Sequence, residues 1–148
     1  MGMMTSFFVA PAAPFPSEKL SEGVPAAFTS VMCDYLDEPK VAMLEHVLTG
    51  KDPGECLKAL TGKPVYAHAE SGIEVFQLSD DLVKALTALL ASSPVEQAKR
   101  WLASGQWGRF GRRGGDLRDL VDMLSSIARL ASSAGTAPNH GLFLWVCP

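Results

Sequence analysis

Along this 148-residue chain the apolar positions recur with two different periods, and each change of period marks an element. Thr5–Ala10 is a short aromatic and β-branched run stopped by Pro11, which predicts a strand. A proline-rich connection follows, in which Ser17 and Glu18 carry the signal for a helical turn. Phe28, Val31, Met32 and Tyr35 then fall at helical spacing and predict a helix over Pro25–Leu36. Asp37 reads as the N-cap of the next helix, Pro39 suits its first turn, and Gly50 its stop. Val41, Leu44, Val47 and Leu48 form the apolar stripe between them. Asp52-Pro53 opens a shorter helix that Gly62 ends.

Lys63–Asp81 is strand-like on either side of Ser71-Gly72, where a two-residue hairpin turn is expected. Ser79 caps a helix with Asp80 and Asp81 in its first turn and Leu82, Leu86, Leu89 and Leu90 on its apolar face. Ser93-Pro94 opens another, with Val95, Ala98, Trp101 and Leu102 facing inward. Five glycines among the eleven residues Gly105–Gly115 rule out a regular helix there. Asp116 starts the longest periodic stretch, predicted to run to about Ser133. Asn139-His140 belongs to a turn in which Asn tolerates the left-handed conformation. The last run, LFLWVC, is apolar throughout, as in a central strand covered on both faces.

The predicted order is β-α-α-α-β-β-α-α-α-β over a single domain, 1–148. It implies an α+β fold: a small, mostly antiparallel sheet from both termini and a central hairpin, packed with five or six helices. No apolar run reaches the ~18 residues of a membrane-spanning helix, so no membrane partner is expected. The start, MGMMTS, formally fits a myristoylation pattern at Gly2 and Ser6, but SFFVA reads as a buried strand.

Charge is uneven. Residues 1–75 hold ten acids and five lysines, residues 76–148 six acids and eight bases, giving −5 and +2 and a net −3. That balance is not that of a nucleic-acid binder. Cys33, Cys56 and Cys147 are odd in number, lack a C-x-x-C, and share no ligand spacing with His46, His68 or His140. Free thiols in a reducing cytoplasm follow, with no metal and no cofactor expected.

Three stretches in order, Glu38–Gly50, Tyr66–Leu90 and Asn139–Val146, resemble the YfbM-like family of uncharacterised bacterial proteins, as do the MGMM start and first strand. Leu44 and Leu48-Thr49-Gly50 match its pattern, while Val41 stands where that family usually has Trp and Glu45 where it usually has His. The resemblance implies a compact α+β bacterial cytoplasmic protein and no particular reaction.

Candidate chemistry is sparse. Glu45 with Asp34, Asp37 or Glu38 reads as a solvated acidic face, or a negative patch for a basic partner. Tyr66, His68 and Glu70, with His140, are the side chains from which an acid–base or ligand pocket could be built, if they converge. Trp107, Arg109, Arg112 and Arg113 form a basic, aromatic-interleaved loop in which Trp107 and Phe110 are expected to fold back onto the core. No phosphate loop, nucleophile elbow or H-E-x-x-H occurs. The expectation is a non-catalytic protein-binding module of inhibitor or immunity type, the alternative being a small-molecule binder or enzyme using a His/Glu/Tyr pocket.

Overall fold

The fold was obtained as a computed structural model and describes residues 3–34, 36–107 and 116–148, without the side chains of Asp34 and Asp116. Strands β1 (Met4–Pro11), β2 (Ser30–Asp34), β3 (Tyr66–His68), β4 (Ile73–Gln77) and β5 (His140–Cys147) form one antiparallel sheet in the order β2-β1-β5-β4-β3. Helices α1 (Glu38–Thr49), α2 (Pro53–Thr61), α3 (Asp80–Ala88), α4 (Val95–Leu102) and α5 (Asp116–Thr136) complete an α+β architecture.

β5 is central, and its alternation divides two cores. Leu142, Leu144 and Val146 face the helices with Phe7 and Phe76, the layer into which α5 sends Leu120, Leu124 and Ile127. Phe143 and Trp145 face the other way with Phe8, Ile73 and Val75. There the proline-rich connection lies across the sheet and supplies Phe15, Val24 and Phe28. Phe15 and Phe143 have ring centroids 4.7 Å apart, and the indole N–H of Trp145 donates to the Leu20 carbonyl at 2.8 Å. A run apolar at every position is what a strand covered on both faces requires.

The helix predicted over Pro25–Leu36 is absent. Ser30–Asp34 is instead the edge strand β2, paired from Met4↔Asp34 to Phe8↔Ser30. Val31 and Cys33 pack toward the helices while Met32, between them, is 69% exposed. Period two won because the backbone hydrogen bonds come from β1, more than twenty residues away, and not from the local chain. The proline-rich segment forms a 3-10 turn at Leu20–Glu22 rather than at Ser17. The hairpin turn spans four residues, 69–72, with Gly72 left-handed at φ 74°. Leu90, expected on the inner face of α3, is exposed, because α3 ends at Ala88 and a 3-10 turn over Leu89–Ala91 rotates it outward. α5 runs past Ser133 to Thr136, and Asn139 is left-handed at φ 60°.

α1 forms where its signals predict. The Asp37 side chain accepts from the Lys40 N–H at 3.1 Å, and Gly50 closes the helix at φ 80°, its N–H bonded to His46 O at 2.8 Å. Asp52 caps α2 through the Glu55 N–H at 3.0 Å, and Ser79 caps α3 through the Leu82 N–H at 3.1 Å. α1 thus lies between α2 and α3 and buries a wider arc than a helix with a single neighbour.

Candidate functional site

That wide arc carries a carboxylate. Glu45 follows Val41 by one helical turn and sits beside Leu44, and its residue exposure is 7%. The Ser79 hydroxyl donates to Glu45 Oε1 while its oxygen accepts the Leu82 N–H, so one side chain starts α3 and holds the acid. Cys56, the buried residue of α2, lines the same site, and the Glu45 carboxylate raises its thiol. Three helices converge on Glu45, and its own carbonyl accepts from the Thr49 hydroxyl at 2.6 Å.

Beside this carboxylate lies a cavity of about 150 Å³. Its apolar lining comes from Val41 and Ala42 of α1, Ala59 and Leu60 of α2, and Leu78 and Leu82 around the start of α3. Glu45, Cys56, Gln77 and Ser79 supply the polar atoms. The arrangement is an apolar pocket with a few convergent polar groups, the usual make-up of a small-ligand site.

Electrostatics set the roles of these groups. Burial pushes the Cys56 thiol up, and the hydrogen bond to the Glu45 carboxylate and its charge push it further, from 9.0 to about 12. Cys56 is therefore a protonated donor at neutral pH and not a nucleophile. Glu45 sits at the N-terminal end of α3, where the helix dipole favours negative charge. Lys51, on the turn after α1, reaches Asp81 in the first turn of α3 at 2.5 Å. Their hydrogen bond holds Asp81 below the ordinary carboxylate value and Lys51 above the ordinary amine value. Among the described residues Glu45 has no cation within ion-pair distance, since Lys51 is engaged by Asp81.

Glu45 was expected on a solvated face with Asp34, Asp37 or Glu38. Instead it is buried against α2 and α3, while Asp37 is occupied with the Lys40 N–H and ammonium group. The other expected site residues do not converge. Tyr66 packs under the proline-rich covering, in register with Val75 and, across it, Trp145. His68 serves the hairpin turn, its Nδ1 lying 2.8 Å from the Ser71 hydroxyl and 3.3 Å from the Ser71 N–H. Glu70 lies in that turn, off the strand, so no His–Glu pair shares a strand face. His140 begins β5, five residues from Trp145, or about 17 Å at ~3.4 Å per residue, with its Nδ1 2.8 Å from the Pro138 carbonyl. A His/Glu/Tyr pocket is therefore not formed. His46 is tied to the Lys51 carbonyl at 2.7 Å.

Trp107 is 5% exposed, its ring 5.0 Å from that of Trp101 at 81°, with Lys40 Nζ 5.3 Å from its centroid. It belongs to the core and offers no stacking surface to a nucleic acid. Arg109, Phe110, Arg112 and Arg113 lie outside the described residues. Cys56 and Ser79 were legible only as a buried thiol and a helix cap, and nothing local joined them to Glu45. Among the described residues no group of three or more His, Cys, Asp and Glu could hold a metal ion, and no helix is long and apolar enough to cross a membrane.

Comparison with protein-family models, with curated proteins and with solved structures returns no match.

Proposed function

We propose that this chain is a small-molecule-binding protein whose site is the cavity enclosed by α1, α2 and the start of α3. The observation that carries the reading is a nine-tenths-buried carboxylate on the wall of an apolar cavity, without a cationic partner among the described residues. Burying a charge is costly unless something compensates for it, so a structural role alone would be met more cheaply by an apolar residue. The site belongs to the small-molecule alternative read from the sequence, built from different residues. Kinship with the YfbM-like family is part of the same proposal. Both departures from that family's helix pattern, Val41 for Trp and Glu45 for His, line the cavity, which makes the pocket a feature of this chain.

The test is an amide NMR screen against a library of fragments of six to nine heavy atoms, a size the cavity volume sets by roughly one benzene ring per 150 Å³. Fragments that bind are expected to shift the amides around Ala42–His46, Cys56–Leu60 and Leu78–Leu82. Val41→Trp should abolish those shifts at a cost of about 1–3 kcal/mol in stability, because the indole enters the cavity from a packed core position. If no fragment perturbs these amides at millimolar concentration, the proposal fails.

A second reading, a protein-binding module of inhibitor or immunity type, is favoured by one observation. Met32 and Met4 are both exposed at the β2–β1 edge of the sheet. Recovery of one stoichiometric partner from the native host, lost in Met32→Lys, would support it.

A further inference from the structure

We infer that the ligand of the α1–α2–α3 cavity is a small ammonium ion, a primary amine carrying a compact apolar body. The inference rests on the small-molecule reading above and specifies its chemistry.

A carboxylate offers about four lone-pair positions. In Glu45 the Ser79 hydroxyl takes one of them as a neutral donor, and the protonated Cys56 thiol lines the same site. Acceptor capacity remains, and no protein cation among the described residues uses it. Lys51 is the near candidate, since its ammonium group and the Glu45 carboxylate feel each other's charge, but that group is held by Asp81 at 2.5 Å. A buried carboxylate that has a neutral donor and, among the described residues, no cation in contact is complemented by a positive donor arriving from the cavity side.

The charge of Glu45 selects the same sign. Carboxylate and phosphate ligands would meet Glu45 in a low-dielectric setting where like charges repel strongly. Apart from Cys56, Gln77 and Ser79, the rest of the wall is hydrocarbon, with Val41, Leu60 and Leu82 among it, which accommodates an apolar body. At about 150 Å³ that body is about the size of one benzene ring.

Benzylamine, benzyl alcohol and benzoate share one ring and differ in the group presented to Glu45. Titration of each into the full chain, followed by amide NMR and calorimetry at pH 7, separates the possibilities. Benzylamine is expected to bind at least about tenfold more tightly than benzyl alcohol, with benzoate not binding. In Glu45→Gln the amine is expected to lose its advantage while the alcohol keeps its affinity. The comparison of the three probes needs no variant, so it decides the matter even if E45Q does not fold. Equal binding of amine and alcohol, or a preference for benzoate, overturns the ammonium inference and leaves the cavity as a binding site. Failure of all three probes to perturb the cavity amides overturns both.

Discussion

Cys56 reports on the Glu45 site without any ligand. Its thiol is raised from 9.0 to about 12 by burial, by its hydrogen bond to Glu45, and by that carboxylate's charge. At pH 8 a thiol of 9.0 is about one-tenth ionised, and one of about 12 is about one part in 10⁴ ionised, so Cys56 presents roughly 10³-fold less thiolate. The assay is pulsed alkylation with iodoacetamide between pH 8 and 10.5, with the three cysteines resolved by peptide mass spectrometry. Half-exposed Cys147 is expected to react first. The Cys56 rate should climb tenfold per pH unit through 9.0 without levelling.

That slope does not depend on how the reagent gains access. If a locally opened state is the one alkylated, opening is still referred to a native state that holds the proton, so the thiolate population keeps rising until the native thiol itself ionises. Glu45→Gln removes the hydrogen bond to the carboxylate and its charge but not the burial, so the levelling point should move down and remain above 9.0. By the same linkage the native state keeps a proton between 9.0 and about 12 that the unfolded chain has released. Cys56 therefore makes stability fall as pH rises across that window and adds no slope below it. A wild-type rate that levels near pH 9, or an E45Q profile identical to the wild type, refutes the proposed contact.

Further outcomes follow from the same geometry. Ser79→Ala deletes the α3 cap and a donor to Glu45 and should cost about 2–3 kcal/mol in urea unfolding, with Ser79→Thr within about 1 kcal/mol of wild type. Trp107→Ala removes a buried ring packed on Trp101 and should cost about 3–5 kcal/mol, a fall of roughly 6–20 °C in Tm. An unchanged Tm would mean that Trp107 stands off the core. Trp145→Phe keeps ring packing but leaves the Leu20 carbonyl without its indole donor, and should loosen the proline-rich covering by about 1–3 kcal/mol, read by amide exchange at Leu20–Val24. Asp81 is held low by Lys51, so its contribution is present above the ordinary carboxylate value and is lost as pH falls through the lowered one. Asp81→Asn should therefore match the wild type at pH 2 and fall below it at pH 7, by a margin that 1 M salt removes.

What the sequence revealed about the fold followed from how local each signal is. α1 could be read because Asp37, Pro39, the Val41–Val47 stripe and Gly50 all act within a few residues of their own backbone. β5 could be read because a strand covered on both faces must be apolar at every position. β2 could not, because Phe28, Val31 and Met32 fall at helical spacing, while the strand's own alternation rests only on Val31 and Cys33 around Met32. The choice was made by β1, whose Phe7 pairs with Val31 and whose Phe8 pairs with Ser30. The role of the hairpin histidine is hidden for the converse reason: a side chain that looks free in the sequence is used by its own turn through Ser71.

Glu45 was hidden for a topological reason. Its position on α1 places it one turn from Val41, but whether that face meets water depends on elements far along the chain. β4 pairs with central β5, and the Leu78 N–H bonds to the Leu142 carbonyl at 2.9 Å, which delivers Ser79 to the flank of α1. Ser79 is thirty-four residues from Glu45, and its cap signature is fully explained by α3 alone. The carboxylate's surroundings are thus a by-product of where β4 ends, and no local pattern encodes them. Nor does forming α1 require an acid there, since the cap, the stop and the apolar stripe suffice. A charge at a buried position that the helix does not need, facing space that the core does not fill, is the feature on which the proposed ligand site rests.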